Sequence, residues 1–193
     1  MDILQTMRLS EDATLPVSAH EDDAGFDICA SKTVVLAPQD KYVVPTDIAV
    51  NIPPGYVGFL TSRSGVSSKS DLVVETGKID AGFTGPLGVN VKNDSQEDAG
   101  GPKGTPVGEA PLLYDVKGEK VKNGNPYAVT RGRTYIIEKG DRIAQLVLTP
   151  IVKPKIKEVS AFEETARGTN AYGSTGWNTQ KLKGGTTDGQ KEQ

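Results

Sequence analysis

The chain has 193 residues, enough for one domain with a real core and room for an insertion. Its formal charge is -3 and it has no run of five basic residues, which excludes duplex nucleic acid as a main partner, because such binding rests on many Lys and Arg contacts to phosphate. Cys29 is the single cysteine, so an intrachain disulfide is excluded and a reducing compartment fits. No signal-peptide core and no apolar run near ~18 residues occurs, which points to a soluble, cytoplasmic protein without a membrane role.

Gly and Pro together make up about 18% of the chain against about 12% in average proteins, so turns are frequent. The dominant hydrophobic period is two. Lys41 to Ile52 alternates in its second half, with Ile48, Val50 and Ile52 on one face, and Pro53-Pro54-Gly55 ends it as a turn. Ser64 to Ser70 has room for one short helix. Leu87, Val89 and Val91 alternate with Gly88, Asn90 and Lys92. Residues 94–133 break the pattern: they are rich in Gly, Pro, Lys and Glu, and only Leu112, Leu113 and Tyr114 offer an apolar anchor. This segment reads as an insertion with a hairpin of its own. Tyr135 to Ile137 and Ile143 to Leu148 are further short apolar runs, separated by Lys139-Gly140-Asp141. From Glu163 the chain is polar and Gly-rich, which suggests a mobile arm over 163–176 and a disordered tail over 177–193. The expectation is an all-β sandwich or barrel over 1–162, interrupted at 94–133.

Familiar catalytic patterns are missing. There is neither a G-x-x-x-x-G-K-[ST] loop nor a G-x-G-x-x-G. His20 is the only histidine and sits in a charged stretch, which suits a solvated residue better than a triad member. What remains is a set of Gly-punctuated polar clusters at the ends of strand-like runs: 24–27 (AGFD), 61–65 (TSRSG), 77–85 (GKIDAGFTG), 140–145 (GDRIAQ), and 167–176 (RGTNAYGSTG). Each alone reads as a turn, a cap or a linker. Together they suit a polyphosphate. Arg63 and Arg167 are planar donors for phosphate oxygens. Ser64, Ser174, Thr175 and the nearby glycines add hydroxyl and backbone donors. Asp27 and Asp80 supply a metal contact or a base.

In order and content these five clusters resemble the motifs of the homotrimeric dUTPase family, with AGFDICA at 24–30, SRSGVSSK at 62–69, GKIDAGFTGPLG at 77–88, KGDRIAQLVL at 139–148 and RGTNAYGSTG at 167–176. The resemblance implies a jelly-roll or distorted-barrel β fold, a homotrimer with active sites shared between chains, and Mg²⁺-assisted hydrolysis of dUTP to dUMP and pyrophosphate. It also implies roles. Asp80 would hold the water that attacks the α-phosphorus, and Asp27 would act on the Mg²⁺ shell through water. Arg63, Ser64, Gly65 and Gln145 would bind the phosphates. The hairpin from Gly77 through Lys78, Ile79 and Asp80 to Gly88 would read uracil, and Phe83 would sit against the deoxyribose. The arm would close with Tyr172 and Gly173 over the base and Arg167, Ser174 and Thr175 on the γ-phosphate.

The chain departs from the family pattern at three places. Phe83 stands where Tyr is usual, Asn170-Ala171-Tyr172 replace two glycines and a Phe, and the 94–133 insertion resembles that of some bacteriophage members. The insertion raises the expectation of a regulatory protein partner, in the host cytoplasm if the chain is phage-encoded. Two alternatives are a dCTP deaminase of the same fold, for which no suitable glutamate is evident, and a nucleotide-sensing regulatory binder.

Overall fold

The computed structural model describes residues 3–96, 113–121, 133–165 and 168. The described chain forms short strands and one helix of a single turn, as the period-two pattern predicts. In order these are β1 (Gln5–Arg8), β2 (Phe26–Cys29), β3 (Val34–Leu36), β4 (Lys41–Pro45), β5 (Ile48–Asn51), β6 (Tyr56–Ser62), α1 (Ser64–Ser67), β7 (Leu72–Val74), β8 (Gly77–Asp80), β9 (Gly88–Asn93), β10 (Leu113–Tyr114), β11 (Thr134–Ile137) and β12 (Arg142–Pro150). They pair as β2-β12-β6-β8, β4-β9-β7, β10-β11-β3 and β1-β5. All pairs are antiparallel except β10–β11, which is parallel.

The core follows from alternation. In β9, Val89, Val91 and Asn93 point inward while Gly88, Asn90 and Lys92 are half-exposed. Ile28, Leu146, Ile143, Val44, Ile52 and Ile137 meet these residues in one apolar cluster. The stretch from Lys41 to Ile52 is two strands rather than one. Asp47 adopts φ 50° and redirects the chain between β4 and β5. Ser10 donates to the Asp47 carboxylate at 2.8 Å, and Asp47 O accepts from Leu9 N–H, which holds this left-handed residue in place.

The insertion is rooted in the core. Between β9 and β11 the chain adds β10 to the edge of β11 and then turns through Asp115–Gly118. Leu113 and Tyr114 are buried, as their apolar character suggests, and Val116 is buried with them. Leu112 lies outside the described residues. Asn93, fully buried, ties the two roots together. Its side-chain amide donates to Leu36 O at 3.0 Å and Arg133 O at 2.7 Å, and its oxygen accepts from the Ser95 backbone N–H and hydroxyl. Nearby, the Tyr135 hydroxyl donates to Asp71 Oδ2 at 3.1 Å, and Arg133 stacks over the Tyr114 ring at 5.4 Å. Burial pushes the Tyr135 phenol above its ordinary pKa, so it remains a neutral donor.

Contacts divide the chain into two units, Met1–Lys153 and Pro154–Gln193. The first ends before the 162 boundary expected from composition. Residues 154–165 pair with no strand and are exposed throughout, including Ile156 and Phe162.

Asn93→Ala leaves several buried groups without partners. We expect a loss of about 3 kcal/mol, the upper range for stranding buried polar groups, measured by urea unfolding at fixed protein concentration. Faster proteolysis within 94–133 should accompany it.

Candidate active site

The site begins with a carboxylate inside a sheet. Asp27 on β2 lies opposite Gln145 on β12, which lies opposite Thr61 on β6, so three adjacent strands bring these residues side by side. Arg63 is two residues beyond Thr61. It keeps an extended backbone (φ -88°, ψ 136°) as the cap of α1, so the pleat returns its side chain to the face of Thr61. Arg142 and Gln145 are three residues apart and would face opposite ways in a regular strand. A register shift between Arg142 and Ala144 marks a β-bulge, and the extra residue turns both toward Asp27.

Asp27 is only 3% exposed, so its charge must be matched inside the protein. Arg63 donates from Nε to Oδ1 at 2.8 Å and from Nη2 to Oδ2 at 3.2 Å, a two-pronged pair. Arg142 Nη1 donates to Oδ2 at 3.2 Å and Gln145 Nε2 to Oδ1 at 3.3 Å. Each carboxylate oxygen therefore accepts two hydrogen bonds. Arg63 also donates to Arg142 O at 3.3 Å. Two guanidiniums against one carboxylate leave a net positive face. Next to them, Ser64 and Gly65 begin α1, where backbone N–H groups lack intrahelical partners. A Cβ on Gly65 would meet nothing within 4 Å, so this backbone stands open to a ligand. Burial raises the pKa of the Cys29 thiol despite the nearby Arg142, so Cys29 stays protonated and takes no part.

The 77–88 cluster lies elsewhere in the same chain. Gly77, Lys78, Ile79 and Asp80 form β8, the edge strand beside β6. Among the described residues its outer edge pairs with no other strand. Ile79 is 6% exposed and belongs to the core, so only its backbone can meet a ligand. Asp80 is exposed and precedes a turn through Gly82 (φ 89°), in which Phe83 N–H bonds Asp80 O. Phe83 is 45% exposed and its ring covers Gly85, where a Cβ would come within 2.8 Å. Gly88 opens β9 against Pro45. Asp80 lies opposite Val57, whereas Gln145 lies opposite Thr61. At strand spacings this separates them by about 13 Å along the sheet and about 10 Å across it. One chain thus brings Asp27, Arg63, Gln145, Ser64 and Gly65 together, and keeps Asp80 and Phe83 apart from them. Arg167, Tyr172, Gly173, Ser174 and Thr175 lie outside the described residues.

The role of Arg142 was not singled out from the sequence. A Gly-Asp-Arg turn hides it, because no periodicity announces a bulge. Among the described residues no three His, Cys, Asp or Glu side chains converge as direct metal ligands. Asp27 has its acceptor sites filled, so it suits a metal only through water, and only where the Gln145 hydrogen bond, the longest of the four, yields.

The described domain is all-β, and a pair of guanidiniums held by one carboxylate stands beside an open glycine backbone. The family model for dUTPase matches residues 11–108 and 127–176. The deoxyuridine 5'-triphosphate nucleotidohydrolase of Paramecium bursaria Chlorella virus 1 is 34% identical over 176 residues, covering 91% of this chain and 99% of that protein. The same enzyme of Leifsonia xyli subsp. xyli is 32% identical, covering 84% and 86%. A mutant dUTPase of Staphylococcus bacteriophage 80alpha, solved with dUpNHpp, shares 48% identity and a TM-score of 0.80 over 92% of this chain and all of that one. The dUTPase of phage phi11 of S. aureus, solved to visualise a species-specific insert, shares 49% identity and a TM-score of 0.75 over 85% of this chain. Phage 80alpha dUTPase is also described as controlling transfer of virulence genes by a proto-oncogenic G protein-like mechanism.

The chain belongs to the dUTPase family, with its jelly-roll-like β fold. Members of the family use a divalent metal ion.

Asp27→Ala would leave two guanidiniums without their counter-charge. We expect a loss of about 2 kcal/mol, less than a fully buried pair because both guanidiniums reach solvent, measured by denaturant unfolding. Arg63→Lys, whose ammonium cannot form the two-pronged pair with Asp27, should lower stability in the same assay by less than Asp27→Ala does.

Proposed function

We propose that the chain hydrolyses dUTP to dUMP and pyrophosphate at a site built from more than one copy of itself. The carrying observation is the register: Asp80 and the Asp27–Arg63–Gln145 cluster flank opposite ends of β6 and cannot reach one α-phosphate from one chain. A homotrimer in which β8 of one copy faces the cluster of another resolves this. In that reading Asp80 accepts a proton from a water, whose oxygen attacks the α-phosphorus. The bond from the α-phosphorus to the oxygen bridging to the β-phosphate breaks, and pyrophosphate leaves with that oxygen. Arg63, Arg142, Gln145 and the Ser64-Gly65 backbone stabilise charge on the phosphates.

The β8 edge reads the uracil edge, where a cytosine would leave buried groups unpaired. Phe83 keeps the ring face that excludes a 2′-hydroxyl. Arg167, Tyr172, Gly173, Ser174 and Thr175 close over the substrate and shut out water. We assign Mg²⁺ as the metal, which Asp27 would hold through water. When bound, the ion would supply neutralisation of phosphate charge. The enzyme acts in the cytoplasm.

Asp80→Asn should fold, bind dUTP and lose at least about 10³-fold in kcat, the scale of a missing general base. Mixing inactive Asp80→Asn with inactive Arg63→Ala, then refolding together, should regain activity, because some mixed sites draw intact residues from different copies. No recovery would place the site within one chain. Ammonia released from dCTP would indicate a deaminase instead.

A second reading adds a regulatory protein that binds through 94–133. It is favoured by the fixed anchoring of Leu113–Val121 beside the site and by the role described for the phage 80alpha enzyme. Deleting 99–110, which spares Leu113, Tyr114 and Val116, should abolish that binding and leave dUTP turnover intact. Loss of turnover alone would overturn it.

A further inference from the structure

Beside Arg63 lies an open cavity of about 410 Å³ whose outer wall is the insertion. Its charge is lopsided. Among the described residues Arg63, Lys69, Arg142 and Lys117 line it against the single carboxylate of Asp141. Asp141 is committed to a turn, accepting from Glu138 N–H at 2.8 Å. Arg63 and Arg142 are shared with Asp27, but among the described residues Lys69 and Lys117 make no ion pair. A concave surface lined by cations of this excess concentrates multivalent anions.

Lys117 is placed with care for a surface lysine. It sits in the Asp115–Gly118 turn, where the Asp115 carboxylate accepts from the N–H groups of Lys117 and Glu119, both at 2.9 Å. On one side of it Val116 is buried in the core. On the other, Gly118 adopts φ 74° and packs so closely that a Cβ there would come within 1.8 Å of Lys69 O. The turn is thus pressed onto the loop after α1, and Lys117 and Lys69 line the same cavity from its two walls. The five family motifs include Lys69 but nothing from this turn.

We propose that Lys117 binds the diphosphate end of the substrate, and afterwards the pyrophosphate product, so that the insertion completes the leaving-group side of the active site. This rests on the dUTP-hydrolysis reading, which puts the phosphate chain on Arg63 and Gly65; both residues also line this cavity. The β- and γ-phosphates extend from there toward Lys69 and Lys117. In this assignment Lys117 meets the diphosphate alone, so its effect is confined to ligands that carry one.

The test uses the full-length enzyme and three variants, Lys117→Ala, Lys117→Glu and Lys117→Arg. Pyrophosphate inhibition, KM for dUTP and the Kd of dUMP are measured for each. Lys117→Ala should weaken pyrophosphate inhibition and raise KM by about five-fold, the worth of one solvent-facing charge contact. Lys117→Glu should exceed that, Lys117→Arg should stay near wild type, and dUMP affinity should not move. Unchanged pyrophosphate inhibition in Lys117→Glu would overturn the assignment. So would an equal loss of dUMP affinity, since that would mark a structural role. A wild-type enzyme that releases no pyrophosphate from dUTP would instead sink the hydrolysis reading. Pyrophosphate titration by calorimetry, wild type against Lys117→Glu, would then still decide whether the cavity binds diphosphate.

Discussion

Burying the Asp27 carboxylate is the constraint around which this molecule is arranged. A charge at 3% exposure is sustainable only when matched by donors. The matching set comes from two segments: Arg63 just past the end of β6, and Arg142 and Gln145 at the start of β12. To assemble it the chain accepts a bulge in β12, an extended cap at Arg63, and a glycine at position 25, where any Cβ would strike Leu146 O at 2.9 Å. The gain is orientation. Both guanidiniums, long and flexible in solution, are held on one face before any ligand arrives, which lowers the ordering cost of binding a triphosphate. The same carboxylate keeps their charge from repelling within a small volume.

Much of this was legible in the sequence, for a physical reason: strands that bury one face must alternate. Leu87–Val91, Tyr135–Ile137 and Ile143–Leu148 fell where β9, β11 and β12 stand, and the turns at Gly55 and Gly140 take positive φ. Period-two reasoning fails where the backbone departs from the pleat. It could not see that Asp47 splits Lys41–Ile52, because a left-handed aspartate leaves no hydrophobic trace. It could not see β1, whose residues are mostly exposed, or the bulge that aims Arg142. For the site, motif content named Asp27 for the metal and Arg63 and Gln145 for phosphate, and adjacent strands bring the three side by side. It carried no information on how far apart the motifs lie within one chain. The distance between motifs within one chain is a property of register, set by the pairing of β8 with the far end of β6.

The insertion shows how an added segment acquires a function. A strand edge such as that of β11 needs cover, since unpaired backbone groups invite pairing with other chains. β10 covers it, and being parallel it cannot be joined by a tight hairpin, so a longer excursion is required. Asn93 then fixes where the chain leaves and returns, accepting and donating to the full capacity of its amide. Once both roots are fixed, the turn that follows β10 has little freedom. Val116 must fill the core, and Gly118 must fit against Lys69.

From these packing demands the chemistry follows with few further assumptions. A residue between a core anchor and a close backbone contact has one direction left, outward over the cavity beside Arg63. A neutral side chain there would leave that cavity an electrostatic funnel open on one side. Lysine extends the positive lining to its outer wall. The segment that makes this chain atypical is therefore no detachable ornament: its fixed part shares the core with the fold and the cavity with the site. A partner bound to its surface would act on a turn already in mechanical contact with the loop after α1. Any displacement of that turn would be felt at Lys69 and, through the cavity, at the phosphate side of catalysis.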